Sequence, residues 1–192
     1  STVPQALVKR LEQTLQATFT IVFGQTECSP VASMTRADDT LEDKANTLGG
    51  PMPGVEVKII DPESGEIVPI QTLGEYCTRG YHVMHEYFDM PEATANTIDE
   101  EGWLHTGDLC FMDERGYCTV EGRLKDMIIR GGENIYPREI EELLFKHPAV
   151  GEVAVVGLPS ERLGEDVAAF LRAAPGEAID KDALFAYLRE HL

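Results

Sequence analysis

The chain has 192 residues, 43% of them hydrophobic, which is enough to fill one substantial domain or two small ones and too much for a disordered polymer. Lys and Arg number 16 against 34 Asp and Glu, and the resulting formal charge of −18 repels a phosphate backbone and offers no basic face to anionic lipid. Nucleic acid is therefore not an expected partner, and acidic runs such as Asp38-Asp39 and Asp99-Glu100-Glu101 read as solvated faces.

No apolar run approaches the roughly 18 to 20 residues needed to cross a bilayer, so no transmembrane segment is expected. Cys28, Cys77, Cys110 and Cys118 form no CxxC pair and have no histidine nearby at a metal-like spacing, which suggests reduced thiols in a cytoplasmic protein. The opening Ser1-Thr2-Val3-Pro4 is neither a signal peptide nor an initiator methionine, so processing or a cut chain is expected.

Leu7, Val8, Leu11 and Leu15 recur at helical spacing after Pro4, predicting an amphipathic helix that ends near Gln16. Phe19 to Phe23 is a short β-prone run meeting Gly24, which predicts a buried strand feeding a loop. From about Thr47 to Glu121 the texture is of short strands punctuated by Gly, Pro and Asp: Val55 to Ile60, Gly74 to Arg79, Leu109 to Met112 and Tyr117 to Glu121. Such hairpins predict an antiparallel sheet or a small barrel-like region.

After Gly122 the pattern changes again. Met127 to Ile129 predicts a strand, Gly131-Gly132 a turn, and Pro137 the start of a helix with Ile140, Leu143, Leu144 and His147 on one face. Val153 to Leu158 and Val167 to Leu171 read as strands, and Asp180 as the cap of a last helix from Lys181. The fold class is mixed α+β, with residues 1–122 as one region, 123–126 as a junction and 127–192 as a small, incomplete α+β domain.

Four local features carry candidate chemistry. In Phe23-Gly24-Gln25-Thr26-Glu27 an aromatic ring can stack on a purine, glycine lets backbone approach a ligand, a hydroxyl can bond phosphate, and a carboxylate can hold Mg²⁺. In Gly102-Trp103-Leu104-His105-Thr106-Gly107-Asp108 the carboxylate beside a glycine can accept two hydrogen bonds from a ribose diol, or the stretch is a turn between strands. His105 reads as packing or solvent-facing. Gly122-Arg123-Leu124-Lys125-Asp126 sits at the change of texture, and Gly131-Gly132 allows either a ligand's close approach or a tight turn.

Together, FGQTE, GWLHTGDL, GRLKDMIIRGGENIYPREIE and VAVVGLPSERLGED resemble, in order and spacing, the core motifs of the adenylate-forming superfamily. The RGGENIYPREIEELL wording is similar to the medium- to long-chain fatty acyl-CoA synthetases within it. The resemblance implies that Phe23 lies against adenine, with Gly24 and Gln25 in the same nucleotide-binding loop. It further implies Thr26 at the α-phosphate, Glu27 on Mg²⁺ and Asp108 on the ribose. Arg123 would also reach the nucleotide, Lys125 would mark a hinge, and Gly131 and Gly132 would line the pantetheine tunnel of coenzyme A.

The implied activity is a two-step ligation: a carboxylic acid, a fatty acid by the wording, reacts with Mg·ATP to give acyl-AMP, and the thiol of CoA then displaces AMP. The superfamily's Ser/Thr/Gly-rich phosphate loop and its catalytic lysine match nothing in these 192 residues, so a C-terminal fragment inactive by itself is expected. His85-Glu86-Tyr87 stands where a Gly-Tyr pair is more usual, read as a surface hairpin outside the chemistry. A carrier-protein adenylation domain, an aryl-CoA ligase and a non-catalytic nucleotide-binding module remain alternatives, and a homo-oligomer stays open.

Overall fold

Helix α1 (Gln5–Leu15) buries Val8 completely and stops at Gln16, whose φ of 49° no helix continues. A computed structural model describes residues 3 and 5–191 of the chain; Pro4, taken as the first-turn signal, lies outside the described residues. The helix is fastened from its polar side, because Glu12 Oε1 accepts both the Phe19 N–H at 3.0 Å and the buried Lys44 ammonium at 3.0 Å. Those two donors hold the Glu12 carboxyl below its ordinary range, the Phe19 amide most strongly.

The predicted strand over Phe19 to Phe23 is shorter and more exposed than expected. Only β1 (Val22–Phe23) is extended, and Val22 is 57% exposed, because β1 is the outer strand of a three-stranded antiparallel sheet with β2 (Ser33–Met34) and, beyond α2 (Leu41–Asn46), β3 (Gly50–Pro51). Thr40 caps α2, its Oγ1 accepting the Asp43 N–H at 3.1 Å.

The hairpin texture becomes a second antiparallel sheet in the order β4 (Val55–Ile60), β5 (Gly74–Gly80), β6 (Leu104–Met112), β7 (Cys118–Arg123), with α3 (Pro91–Thr97) between β5 and β6. It is an open sheet with β4 and β7 at its edges, so the barrel-like region anticipated from sequence is not closed; four strands are too few to curl fully onto themselves. Tyr76, Leu104, Cys110 and Cys118 from this sheet pack with Cys28 and Ala32 into one core. All four cysteines are free and buried.

The molecule divides into two compact units, Ser1–Val120 and Glu121–Leu192. In the second, β8 (Ile128–Arg130) and β9 (Glu133–Ile135) form a hairpin, followed by α4 (Pro137–Phe145), β10 (Val150–Ser160), β11 (Gly164–Ala173) and α5 (Lys181–His191). Its antiparallel sheet runs β10-β11-β8-β9, over a core of Ile128, Leu144, Val150, Val155 and Leu184. Burying a leucine such as Leu144 contributes about 1.5–3 kcal/mol. Asp180 caps α5 as expected, Oδ1 accepting the N–H groups of Asp182 and Ala183 at 2.9 and 3.0 Å. No helix among the described residues is long and apolar enough to cross a membrane.

Candidate functional site

Two loops meet in the first unit. One leaves β1 as a single turn of 3-10 helix (Thr26–Cys28) and returns to β2; the Ala32 N–H donates to the Phe23 carbonyl at 2.8 Å to close it. The two arms touch at Gly24, where a Cβ would lie 1.5 Å from the Pro30 carbonyl oxygen. Glycine is therefore required by the loop's own closure, a reason distinct from the ligand approach that the sequence suggested. Phe23 is half-buried, its ring set edge-on against Tyr76 at 4.9 Å between centroids.

The second loop is a distortion inside β6, where the sequence allowed a turn. Opposite β5 the register runs Glu75↔Leu109 and then Cys77↔His105, so Thr106, Gly107 and Asp108 all face the single residue Tyr76. This bulge is gripped from β5: Thr106 Oγ1 donates to the Tyr76 carbonyl at 2.6 Å, and Glu75 Oε1 accepts the Gly107 N–H at 2.9 Å. Gly107, at φ 70°, takes the left-handed conformation the bulge demands. Next to it Asp108 is 5% exposed, a carboxylate aimed into the protein by the extra residues.

Gln25 joins the loops. Its Nε2 donates to Asp108 Oδ2 at 2.9 Å and to the Thr106 carbonyl at 2.9 Å, across more than eighty residues of sequence. Nearby, Cys28 is raised above the ordinary thiol value by burial first, opposed by a hydrogen bond from the Gln25 backbone and reinforced by the negative charges of Glu27 and Asp108. Phe23, Gly24, Gln25, Thr26, Glu27 and Asp108 thus occupy adjoining loops of one unit. Thr26 is exposed and Glu27 half-buried.

Glu27 has the chemistry of a hard-cation ligand. Its Oε1 accepts the Tyr87 hydroxyl at 2.7 Å, whereas Oε2 has no hydrogen bond and no cation pairs with the carboxylate among the described residues. An anionic oxygen donor with one free face fits Mg²⁺, which takes one or two carboxylates and keeps several waters. Tyr87 itself, read from sequence as part of a surface hairpin outside the chemistry, is half-buried beside that carboxylate. The signal available was aromatic identity alone, since sixty residues separate Tyr87 from Glu27.

His105 also has partners that spacing did not reveal. Its Nδ1 lies 2.9 Å from Glu75 Oε2 and 3.6 Å from Cys77 Sγ, so the absence of a metal-like spacing concealed a Glu75-Cys77-His105 cluster. Both Glu75 oxygens are already engaged, and burial pushes the Cys77 thiol up to about 12. The cluster braces the stretch that leads into Asp108.

Arg123, Lys125, Gly131 and Gly132 belong to the second unit. Arg123 ends β7, and Lys125 is exposed in a 3-10 turn (Leu124–Asp126). Gly131 and Gly132, at φ 63° and 91°, are the two central residues of the β8–β9 hairpin, in which Arg130 faces Glu133. Two consecutive positive φ values are the conformation of a two-residue primed turn.

Residues 1–88 match the family model described as AMP-binding enzyme, and residues 139–192 match that of the AMP-binding enzyme C-terminal domain. The chain belongs to the AMP-binding enzyme family. It is 49% identical over 189 residues to YngI of Bacillus subtilis, named for a proposed acyl-CoA synthetase activity, covering 98% of this chain and 34% of that protein. It is 45% identical over 169 residues to a mitochondrial medium-chain acyl-CoA ligase of Rattus norvegicus, covering 88% of this chain and 28% of that one. The crystal structure of ATP-bound MatB from Rhodopseudomonas palustris superimposes with a TM-score of 0.89 at 31% identity, over 100% of this chain and 38% of that one. The chain thus spans about a third of the length of these relatives, and its fold is that of adenylate-forming enzymes.

Proposed function

We propose that the protein carrying this chain is an ATP-dependent, AMP-forming acid–thiol ligase, which converts a medium- or long-chain fatty acid to acyl-AMP and then to acyl-CoA. The observation that supports this best is the Gln25 bridge, which sets the buried Asp108 carboxylate beside the loop bearing Thr26 and Glu27. A nucleotide has two demands that such a pair of loops meets. Its ribose diol needs a fixed acceptor, and Asp108, held in a bulge, supplies one. Its phosphates need donors and a counter-charge, for which Thr26 offers an exposed hydroxyl, and Mg²⁺ held by Glu27 would offset negative charge on the polyphosphate. Phe23 contributes an aromatic ring at the start of the loop, for the adenine.

Residues 123–126 act as the hinge between half-reactions. In support, they lie in the first few residues of the second compact unit, just past the division between Val120 and Glu121. Thioester formation needs a positioned thiol, and we assign the Gly131-Gly132 turn to the wall along which the pantetheine of CoA passes. Four buried thiols suit a reducing compartment, which we take to be the cytoplasm.

In the full-length protein, fatty-acid-dependent exchange of pyrophosphate into ATP should be detectable, and Asp108→Ala should raise the ATP KM by about 10- to 100-fold, the equivalent of losing hydrogen bonds to a charged group. Exchange with an unaltered ATP KM in Asp108→Ala would remove the ribose assignment. Exchange supported by an aryl acid and by no fatty acid would replace the substrate class, and transfer of the acyl group to a carrier protein in place of CoA would replace the acceptor.

A further inference from the structure

Among the described residues, the carboxylate of Glu27 is held by one neutral donor. The Tyr87 hydroxyl reaches Oε1 at 2.7 Å, and the same segment binds the Glu27 main chain, the Met84 N–H donating to its carbonyl at 2.8 Å. Tyr87 is in turn anchored to α3. Its N–H donates to Thr94 Oγ1 at 3.0 Å, and that hydroxyl donates to the Met90 carbonyl at 2.9 Å. Two fixed points on the loop and one on the helix leave the phenol little freedom to swing away from Glu27.

The type of donor matters. A lysine or arginine at this place would cancel the charge of the carboxylate, whereas a phenol fixes one oxygen and leaves the negative charge and the second oxygen for another cation. Hydrogen bonds to the carboxylates that ligate metals fix their orientation, and losing one costs about 10- to 100-fold in metal affinity.

We propose that Tyr87 is a positioning residue for the divalent cation that accompanies the nucleotide, orienting Glu27 through Oε1 so that Oε2 is presented to the cation. This rests on the reading of Glu27 as the cation's carboxylate, and the two can be separated. Because phenylalanine keeps the ring, Tyr87→Phe removes one oxygen from a half-buried side chain.

The test uses the full-length protein with α,β-methylene-ATP, measuring Mn²⁺ affinity from the electron spin resonance signal of the free ion. Glu27→Gln, Thr94→Ala and Tyr87→Phe are compared with the wild type, each with its melting temperature. Tyr87→Phe should weaken Mn²⁺ binding at least about tenfold, and Glu27→Gln by as much or more. Thr94→Ala, which loosens the anchor and leaves the hydroxyl of Tyr87 in place, should stay within about threefold even if it melts lower, and 3-fluorotyrosine at position 87 should bind as the wild type does. Wild-type Mn²⁺ affinity in Tyr87→Phe with loss in Glu27→Gln would overturn the role of Tyr87 and keep that of Glu27. Unchanged affinity in Glu27→Gln would overturn both. Equal weakening in Thr94→Ala and Tyr87→Phe would show a general loosening of the loop and likewise overturn the proposal.

Discussion

The two units are built on different principles. Every buried polar side chain among the described residues, from Ser33 to Asp108, lies in the first unit, while the central cluster of the second is wholly aliphatic: Ile128, Leu144, Val150, Val155 and Leu184. Buried polar groups are costly unless bonded, so the first unit carries a network that fixes loops at defined positions. Its Ser33 and Tyr76 hydroxyls share a buried hydrogen bond at 2.5 Å, and Glu75 ties down His105, just before the Asp108 bulge, and Gly107 within it. In the second unit Lys125 and the Gly131-Gly132 turn are exposed. Precision is concentrated where the nucleotide would sit.

That contrast can be broken by single substitutions, and Trp103, the one tryptophan, is a convenient probe because it is buried in the first unit between Lys58 and Arg79. The largest effect is expected at Gly24. A Cβ there meets backbone, so Gly24→Ala should cost about 4 kcal/mol or more, seen as a collapse of the urea midpoint reported by Trp103. Leu144→Ala should cost about 3 kcal/mol by cavity formation. Amide exchange should then accelerate in α4, β10 and α5 more than in β5 and β6; equal acceleration in both would mean that the two units unfold together.

A smaller effect is expected from the bridge itself. Gln25→Ala deletes one donor to a buried carboxylate and should cost about 1–3 kcal/mol by the same urea assay. Next comes a pH effect centred on His82, which is 3% exposed. The hydroxyl hydrogen of Thr78 is directed to the Glu56 carbonyl, so the His82 Nε2 donates to Thr78 Oγ1 at 3.0 Å, and among the described residues Nδ1 has no partner. Burial lowers the His82 pKa below 6.5, and the unfolded chain therefore binds the proton more readily than the folded one. Its contribution is fully present above pH 6.5 and is lost as pH falls through the depressed folded value, by at most about 1.4 kcal/mol per pH unit. Urea midpoints between pH 7.5 and 5 should fall in the wild type and fall less in His82→Gln. The smallest effect is expected on the second unit's surface, where Asp166→Asn removes the exposed pair with Arg130 and should change stability by less than about 0.5 kcal/mol.

Sequence patterning revealed elements whose cause is local. Helical spacing placed α1, Pro137 opened α4 and Asp180 capped α5, because each signal acts within one turn of the residue bearing it. The errors were nonlocal. The segment 104–108 belongs to β6 because β5 pairs with it, and the bulge that turns Asp108 inward depends on Glu75 and Tyr76, about thirty residues away. Strand β9 was missed because Glu133 and Asn134 have little strand preference; the Gly131-Gly132 turn folds them back onto β8. The candidate site residues were found through their resemblance to a family, which gave names to positions but no contacts. The Gln25 bridge, the internal reason for Gly24 and the hydroxyl of Tyr87 became visible only with the fold.

The central claim is that the loop of residues 23–27 and the bulge of residues 106–108 form one nucleotide-binding wall. Adding millimolar AMP to the ¹⁵N-labelled 192-residue chain and following its amide resonances tests this directly. Shifts concentrated at Gly24 to Glu27 and at Thr106 to Asp108, lost together in Gln25→Ala, are the expected result. Shifts confined to residues 121–191, or AMP-dependent shifts in one loop without the other, would contradict the claim.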